Sequence, residues 1–364
     1  MSVKFEKLKL PSYGQMGAVA FHASDVQMSD NPRVLLFGGQ RQGISGAFYS
    51  FEQASGDGFL SLPDQGEEAT GPPPAPRTQH SMTSIGADPQ TTLILFGGFA
   101  LNIGCMNDVW KCVIGMDLAS MPVPNWSPIE MSGEPPTPRY GHSATYLGTQ
   151  KDKIAIFGGQ DTLQQFGELY LIDHNAAAWT QPKCSGPAPA PRMKHTATAC
   201  GASGKTLIFG GFNKQDRVLD DCFTLEVSAD GGSGTWTQMK PEAPVGSKSI
   251  PPRAQHAAAC TPDGRYVFIF GGYDGFKVMN DLWLLDLTTQ SLKSVGVETP
   301  APEARSRHTM CMVGELLHIF GGYDGSKPST GDVYTLDCSD PGSMESEGGG
   351  DKKKKEEAKE EEED

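Results

Sequence analysis

Five times the chain sets an arginine three residues ahead of a histidine: Arg77 and His80, Arg139 and His142, Arg192 and His195, Arg253 and His256, Arg305 and His308. A guanidinium is a permanent cation whose planar fork of donors matches a carboxylate, so five on one surface could read an acidic or C-terminal peptide bidentately. The competing reading pairs each arginine with a recurring acid between repeats, at ~0–1 kcal/mol per exposed pair. Five imidazoles also invite a metal. They occupy equivalent places in successive repeats, however, and no His-Glu-x-x-His or similar close pair occurs. They read as hydrogen-bonded strand residues, with no metal, cofactor or catalytic role expected. The stretch Gly201-Ala202-Ser203-Gly204-Lys205-Thr206 brushes the phosphate-loop pattern, but Ala199 stands where the first glycine is required. An apolar strand follows where a helix should open, so this is a hairpin turn. No nucleophile elbow is present, and no paired carboxylates stand outside the repeat.

Those residues sit within a larger repeat. Phe-Gly-Gly occurs at Phe37-Gly38-Gly39, Phe96-Gly97-Gly98, Phe157-Gly158-Gly159, Phe209-Gly210-Gly211, Phe270-Gly271-Gly272 and Phe320-Gly321-Gly322, at steps of 59, 61, 52, 61 and 50 residues. An acid and an aromatic open the next apolar run, as Asp108-Val109-Trp110, Glu168-Leu169-Tyr170, Asp221-Cys222-Phe223, Asp281-Leu282-Trp283 and Asp332-Val333-Tyr334. Around residues 267–287 the pattern is complete: apolar run, glycine pair, Tyr-Asp-Gly turn, second apolar run. A period near ~50 residues with four short strands is the kelch propeller period. On these markers the chain resembles a six-bladed kelch β-propeller over almost its whole length, an all-β fold.

Composition agrees. Of 364 residues, 44 are Gly and 27 Pro, which suits many short turns, and no long helical periodicity is visible. The net charge is −14; residues 345–364 carry ten acids and five lysines, leaving −9 for the body. An acidic body argues against nucleic-acid binding, which needs clustered cations. The first fifteen residues lack the apolar core of a secretory signal, and no stretch approaches the ~18 apolar residues of a membrane span. The eight cysteines form no Cys-x-x-Cys pair and read as reduced, buried thiols, Cys200, Cys260 and Cys311 within inner strands. The expectation is a cytoplasmic or nuclear monomer. It comprises a propeller over residues 1–340 and a disordered Lys/Glu-rich tail over 341–364, whose Lys352 to Lys355 run reads as solvated.

Three further expectations follow from the pattern. Blade six lacks a fourth strand, and the alternating residues 4–10, with Phe5, Leu8 and Leu10, supply it and close the ring. Blade one departs at its rim, with Ser12 and Gln15 at the arginine and histidine positions and no tryptophan in its outer strand near residues 59–62. The Pro-rich loops between blades recur in step with the fold and read as extended bridges, not as ligands of another domain.

In an antiparallel meander the start of strand one and the end of strand two share an edge, so arginines and post-glycine loops face one mouth. Kelch proteins commonly bind partner peptides on that face. The resemblance therefore implies a non-enzymatic interaction scaffold, with Arg41, Arg77, Phe99, Arg139, Gln160, Arg192, Phe212, Lys214, Arg253, Tyr273, Arg305 and Tyr323 meeting a protein or acidic peptide. Two other readings remain: a substrate receptor of a cullin-type ubiquitin ligase, for which no BTB domain or helical segment is evident, and a sialic-acid-mutarotase-like epimerase holding a carboxylated sugar in an arginine-lined channel.

Overall fold

The computed structural model describes residues 2–8, 23–27, 33–40, 43–52, 58–63, 72–85, 91–116, 122–148, 150–201, 204–243, 249–299, 301–327 and 332–344. The rim substitutions Ser12 and Gln15, Leu10 and the charged tail from residue 345 lie outside them. Among the described residues, six sheets of four or five strands follow one another along the chain. Each is an antiparallel meander from an inner strand to an outer one: in blade two, Ser81–Ile85, Thr92–Ala100, Gly104–Met116 and Pro122–Pro128. Inner strands of successive blades touch, and that of blade six (Thr309–Val313) touches that of blade one (Ala23–Gln27), so the ring is closed. No helix among the described residues is long and apolar enough to cross a membrane.

Strand alternation explains why the sheets stand on edge. Leu93 and Leu95 of blade two pack toward Leu35 and Phe37 of blade one, while their neighbours Ile94 and Phe96 pack toward Ile154 and Ile156 of blade three. Both faces of every sheet are therefore apolar, and six of the seven core clusters among the described residues lie one at each blade-to-blade interface. The outer-strand tryptophans complete the packing: Trp126, Trp179 and Trp236 lie 5.0–5.2 Å from the Phe-Gly-Gly phenylalanine of the preceding blade.

The closing strand is where the alternating N-terminal pattern places it. Glu6–Lys7 pairs antiparallel with Val333–Asp337 as the fourth strand of blade six, and Leu8 N–H donates to the Val333 carbonyl at 2.9 Å. Phe5 is fully buried among blades five and six, 5.8 Å from the Phe270 ring. At the other end, Met344 packs into that same interface, so the folded body reaches past residue 340.

Linkers between blades make a second set of contacts. Among the described residues, three run parallel to the outer strand of the next blade, Ser132 on Ala178, Lys183–Ser185 on Ser233–Thr235 and Glu242 on Ser291, and a fourth, Val297–Glu298, runs parallel to the N-terminal Val3–Lys4. Free sheet edges template aggregation, and these short parallel bridges cover part of each. The eight cysteines are free thiols, with Cys200 buried, Cys260 and Cys311 half-buried, and Cys184 exposed on one linker.

Candidate functional site

The repeated arginines are inside the blades. Arg77, Arg139, Arg192, Arg253 and Arg305 are at most 2% exposed. Each guanidinium Nη1 donates to the carbonyl of its own blade's first paired glycine at 2.9–3.0 Å, and each Nε to the carbonyl two residues upstream at 3.0–3.3 Å. Asp108, Asp221 and Asp281 take Arg77, Arg192 and Arg253 bidentately at 2.6–2.9 Å. Arg139 instead stacks over the Phe166 ring at 4.1 Å, and Arg305 over Tyr334 at 5.1 Å. Burial alone would raise the Asp108 and Asp281 carboxyls; hydrogen bonds and charge from their arginines, with the Trp110 and Trp283 indole N–H, outweigh it and hold both low. These cations are spent on the fold and line no channel. The expected guanidinium ring reading a ligand is replaced by five buried within-blade locks, and the carboxylated-sugar reading loses its arginines.

The blade-to-blade connection passes through the arginine backbone. The second paired glycine donates its N–H to the arginine carbonyl of the next blade at 2.8–3.0 Å, from Gly39 to Arg77 through Gly272 to Arg305. This explains the glycine pair. A Cβ on Gly210 would lie 2.4 Å from the Arg253 carbonyl oxygen, and one on Gly211 would lie 2.8 Å from His195 Cβ. Both also hold positive φ, 65° and 99°. Changing Arg192→Lys removes the fork and leaves the Gly210 carbonyl and one Asp221 oxygen short of a donor. A stability loss of about 1–3 kcal/mol is expected in urea unfolding, whereas an unchanged midpoint would mean the lock contributes nothing.

The post-glycine loops of blades two to six lie beside the arginine ends of the inner strands. The residue after each arginine bridges the residue after each glycine pair: Thr78 with Phe99, Tyr140 with Gln160, Met193 with Phe212, Ala254 with Tyr273, Ser306 with Tyr323. Phe99 contacts Tyr140 at 5.7 Å and Phe212 contacts Tyr273 at 6.4 Å. Phe212 is buried, in a small cluster with Met193 and Ala254; Phe99, Gln160, Tyr273 and Tyr323 are half-buried, and Lys214 is exposed. Gln160 hydrogen-bonds the Tyr140 hydroxyl and, with Lys214, Leu163 and Asp216, lines a groove of about 330 Å³ between the loops of blades three and four. Arg41 lies outside the described residues.

Three of the loop tips are closed by their own hydrogen bonds. Asp161, Asp274 and Asp324 each accept two backbone N–H groups of their own loop at 2.7–2.9 Å, and the Tyr273 and Tyr323 hydroxyls close onto Gly275 and Gly325. On the post-glycine loops sit residues that sequence reading passed over. Among the described residues, the large apolar side chains exposed to solvent are Leu101 (74%), Ile103 (61%), Leu163 (88%) and Phe276 (94%), all on post-glycine loops. Their only advance signal was position, two to four residues beyond the residue that follows each glycine pair.

Beneath the loops an arc of backbone circles the axis. Gly141 donates to Gln79, Lys194 to Gly141, Gln255 to Lys194 and Arg307 to Gln255, at 2.7–2.9 Å. Below that arc lie the repeated histidines. Ser81, Ser143 and Thr196 hydroxyls bond Nε2 of His142, His195 and His256 in the following blade at 2.8–2.9 Å. Burial, then the nearby arginine charge, pushes His142 down to about 3 and holds His195 and His256 well below the ordinary histidine range. They are neutral blade-to-blade connectors.

Known proteins share part of this sequence. The model of the KLHDC2/KLHL20/DRC7 Kelch-repeats domain matches residues 116–249 and 230–355. The chain is 28% identical over 236 residues to an F-box/kelch-repeat protein of Arabidopsis thaliana, covering 63% of this chain and 46% of that protein. It is 28% identical over 214 residues to the Rab9 effector protein with kelch motifs of Xenopus laevis (58% and 54%). With human host cell factor 1 it shares 28% over 306 residues (76% and 14%). The chain thus spans about half, or less, of these relatives' lengths. Six glycine-paired blades, their arginine locks and the matching domain model lead to one statement: the chain belongs to the kelch-repeat family.

Proposed function

We propose that this propeller is a non-enzymatic interaction scaffold that binds a protein partner across the mouth formed by the post-glycine loops. The observation that carries the reading is the placement of Leu101, Ile103, Leu163 and Phe276. Large apolar side chains held in water are costly unless something covers them, and these four all stand on post-glycine loops. Preformed loops lose little freedom on binding. Lys214, Gln160, Tyr273 and Tyr323 supply polar and aromatic contacts between the tips, and an acidic segment would complement Lys214 and the axial cations Lys194 and Arg307. The Xenopus laevis relative is named as a Rab9 effector, which fits a protein-interaction role. The working form is a monomer of the cytosol or nucleus, without nucleic acid or membrane.

A substrate receptor of a cullin-type ligase is a narrower version of the same role. The F-box/kelch relative favours it, and the described residues would need a separate adaptor.

The test is affinity purification of the intact chain beside a variant carrying Leu101→Ser, Ile103→Ser, Leu163→Ser and Phe276→Ser. Loss of the co-purifying proteins at an unchanged melting temperature is expected. The same set of proteins on both baits would place the interface elsewhere.

A further inference from the structure

The interface of blades four and five brings two thiols face to face. Along the inner strand of blade four, the Thr196 hydroxyl meets His256 Nε2 of blade five at 2.9 Å. Every second residue of a strand repeats that direction, so Cys200 also faces blade five. By the same alternation His256, Ala258 and Cys260 face blade four. The packing agrees: Cys200 belongs to the apolar cluster between these blades, with Ala258 and Cys260 against it, whereas Ala257 and Ala259 belong to the cluster shared with blade six. Both strands end here, at the end away from the post-glycine loops, and the turns that follow press together. A Cβ on Gly264 would lie 2.5 Å from Gly201 Cα.

The two thiols are not equivalent. Cys200 is buried and Cys260 half-buried. A hydrogen bond to Cys260, then burial, pushes the Cys200 thiol up, and the Thr198 carbonyl, 3.3 Å from its Sγ, is a second acceptor for its proton. That same bond pulls Cys260 down, against burial and the charge of Asp263, and the Gly201 N–H adds another donor to its sulfur. Burial instead pushes Cys222 and Cys338 up to about 12 and raises Cys105 and Cys184. The thiolate is the nucleophilic form, so Cys260 is the reactive member and Cys200 the proton-holding one beside it. A lowered pKa, partial exposure and a neighbouring second thiol are the features of redox-responsive cysteines.

We propose that Cys260 is a peroxide-reactive thiol with Cys200 as its resolving partner, so that oxidation writes a disulfide across the interface of blades four and five. The Cys260 thiolate attacks one oxygen of hydrogen peroxide. The O–O bond breaks, and the departing hydroxide takes a proton from solvent, leaving Cys260 sulfenic acid and water. The Cys200 sulfur then attacks the Cys260 sulfur; the S–S bond forms, the S–O bond breaks, and the hydroxide that leaves takes the Cys200 proton. In sum two thiols are oxidised to a disulfide and one peroxide is reduced to two waters. The site stands at the far end of the inner strands from the post-glycine loops and does not depend on partner binding there.

The test uses the full chain, reduced, freed of reductant, treated with stoichiometric hydrogen peroxide and then alkylated. Peptide mass spectrometry should find a Cys200–Cys260 disulfide that dithiothreitol removes, with the Cys260 thiol lost about tenfold faster than that of exposed Cys184. Cys200→Ser should instead trap the sulfenic acid, read as a dimedone adduct on Cys260, and Cys260→Ser should leave Cys200 reduced. An unaltered chain whose Cys260 stays reduced while Cys184 is consumed overturns the proposal. So does a Cys200→Ser chain whose dimedone adducts fall only on other cysteines. The first comparison is made on the unaltered chain and does not depend on how a variant folds.

Discussion

A chain lacking residues 1–8 should fail to melt as one cooperative unit and should aggregate. Those residues contribute the fourth strand of blade six and the parallel bridge to Val297–Glu298, so their loss bares two backbone edges together. They also carry Phe5, which is completely buried against Phe270. Phe5→Ala alone should cost about 3–5 kcal/mol, as large-to-small changes in well-packed cores do. That is a large part of the ~5–15 kcal/mol that holds a typical domain together. The Lys7 to Asp332 ion pair, 2.8 Å long with the lysine 49% exposed, should matter much less, and Lys7→Ala serves as the control. A truncated chain with an unaltered thermal midpoint would show that the ring does not depend on its clasp.

Mild acid should open the ring as well. His142 is pushed down to about 3 and His318 to about 4, while His195 and His256 are held well below the ordinary value. In each case burial of a ring that must stay neutral is the main cause. The unfolded chain takes up protons near pH 6.5 that the folded chain refuses. The stabilisation is therefore complete above that pH and is lost as pH falls toward the folded-state values. The slope approaches about 1.4 kcal/mol per pH unit for each imidazole. With four such rings, the urea midpoint should drop steeply between pH 6.5 and 5. Asp108 and Asp281, held low by their arginines, lose their contribution only below ~3.9, so the two causes separate along the pH axis. His195→Gln should make the decline shallower by about one proton. A midpoint that stays level from pH 7 to pH 5 would mean the rings admit water and charge freely.

Much of this architecture was legible because it rests on local steric demands. Only glycine tolerates an arginine carbonyl and a histidine Cβ pressed against its Cα, so Gly210-Gly211 and its equivalents stand out in any reading. Outer-strand tryptophans and the alternating N-terminal residues carry a similar signature. Side-chain direction was not legible. Spacing put arginines and loops on one face, yet it could not say that Arg192 turns inward to Asp221 of its own blade. An ion pair between repeats and a lock within one leave the same pattern. The axial arc escaped notice for another reason: its members are Gln, Gly, Lys, Gln and Arg, united by backbone geometry rather than by residue type. Phe276 and Leu163 were passed over because an apolar residue in a loop says nothing about whether it points to water.

The linkers give the ring a sense of direction. Those described, after blades two to five, shield the blade that follows: Ser132 guards blade three, and Glu242 guards blade five. A gene recut so that translation starts just ahead of Ser132 would keep that gasket in place; one started a few codons later would leave the outermost ribbon of blade three open to strangers. The molecule is thus assembled like overlapping roof tiles, and the safe places to splice it lie upstream of each overlap.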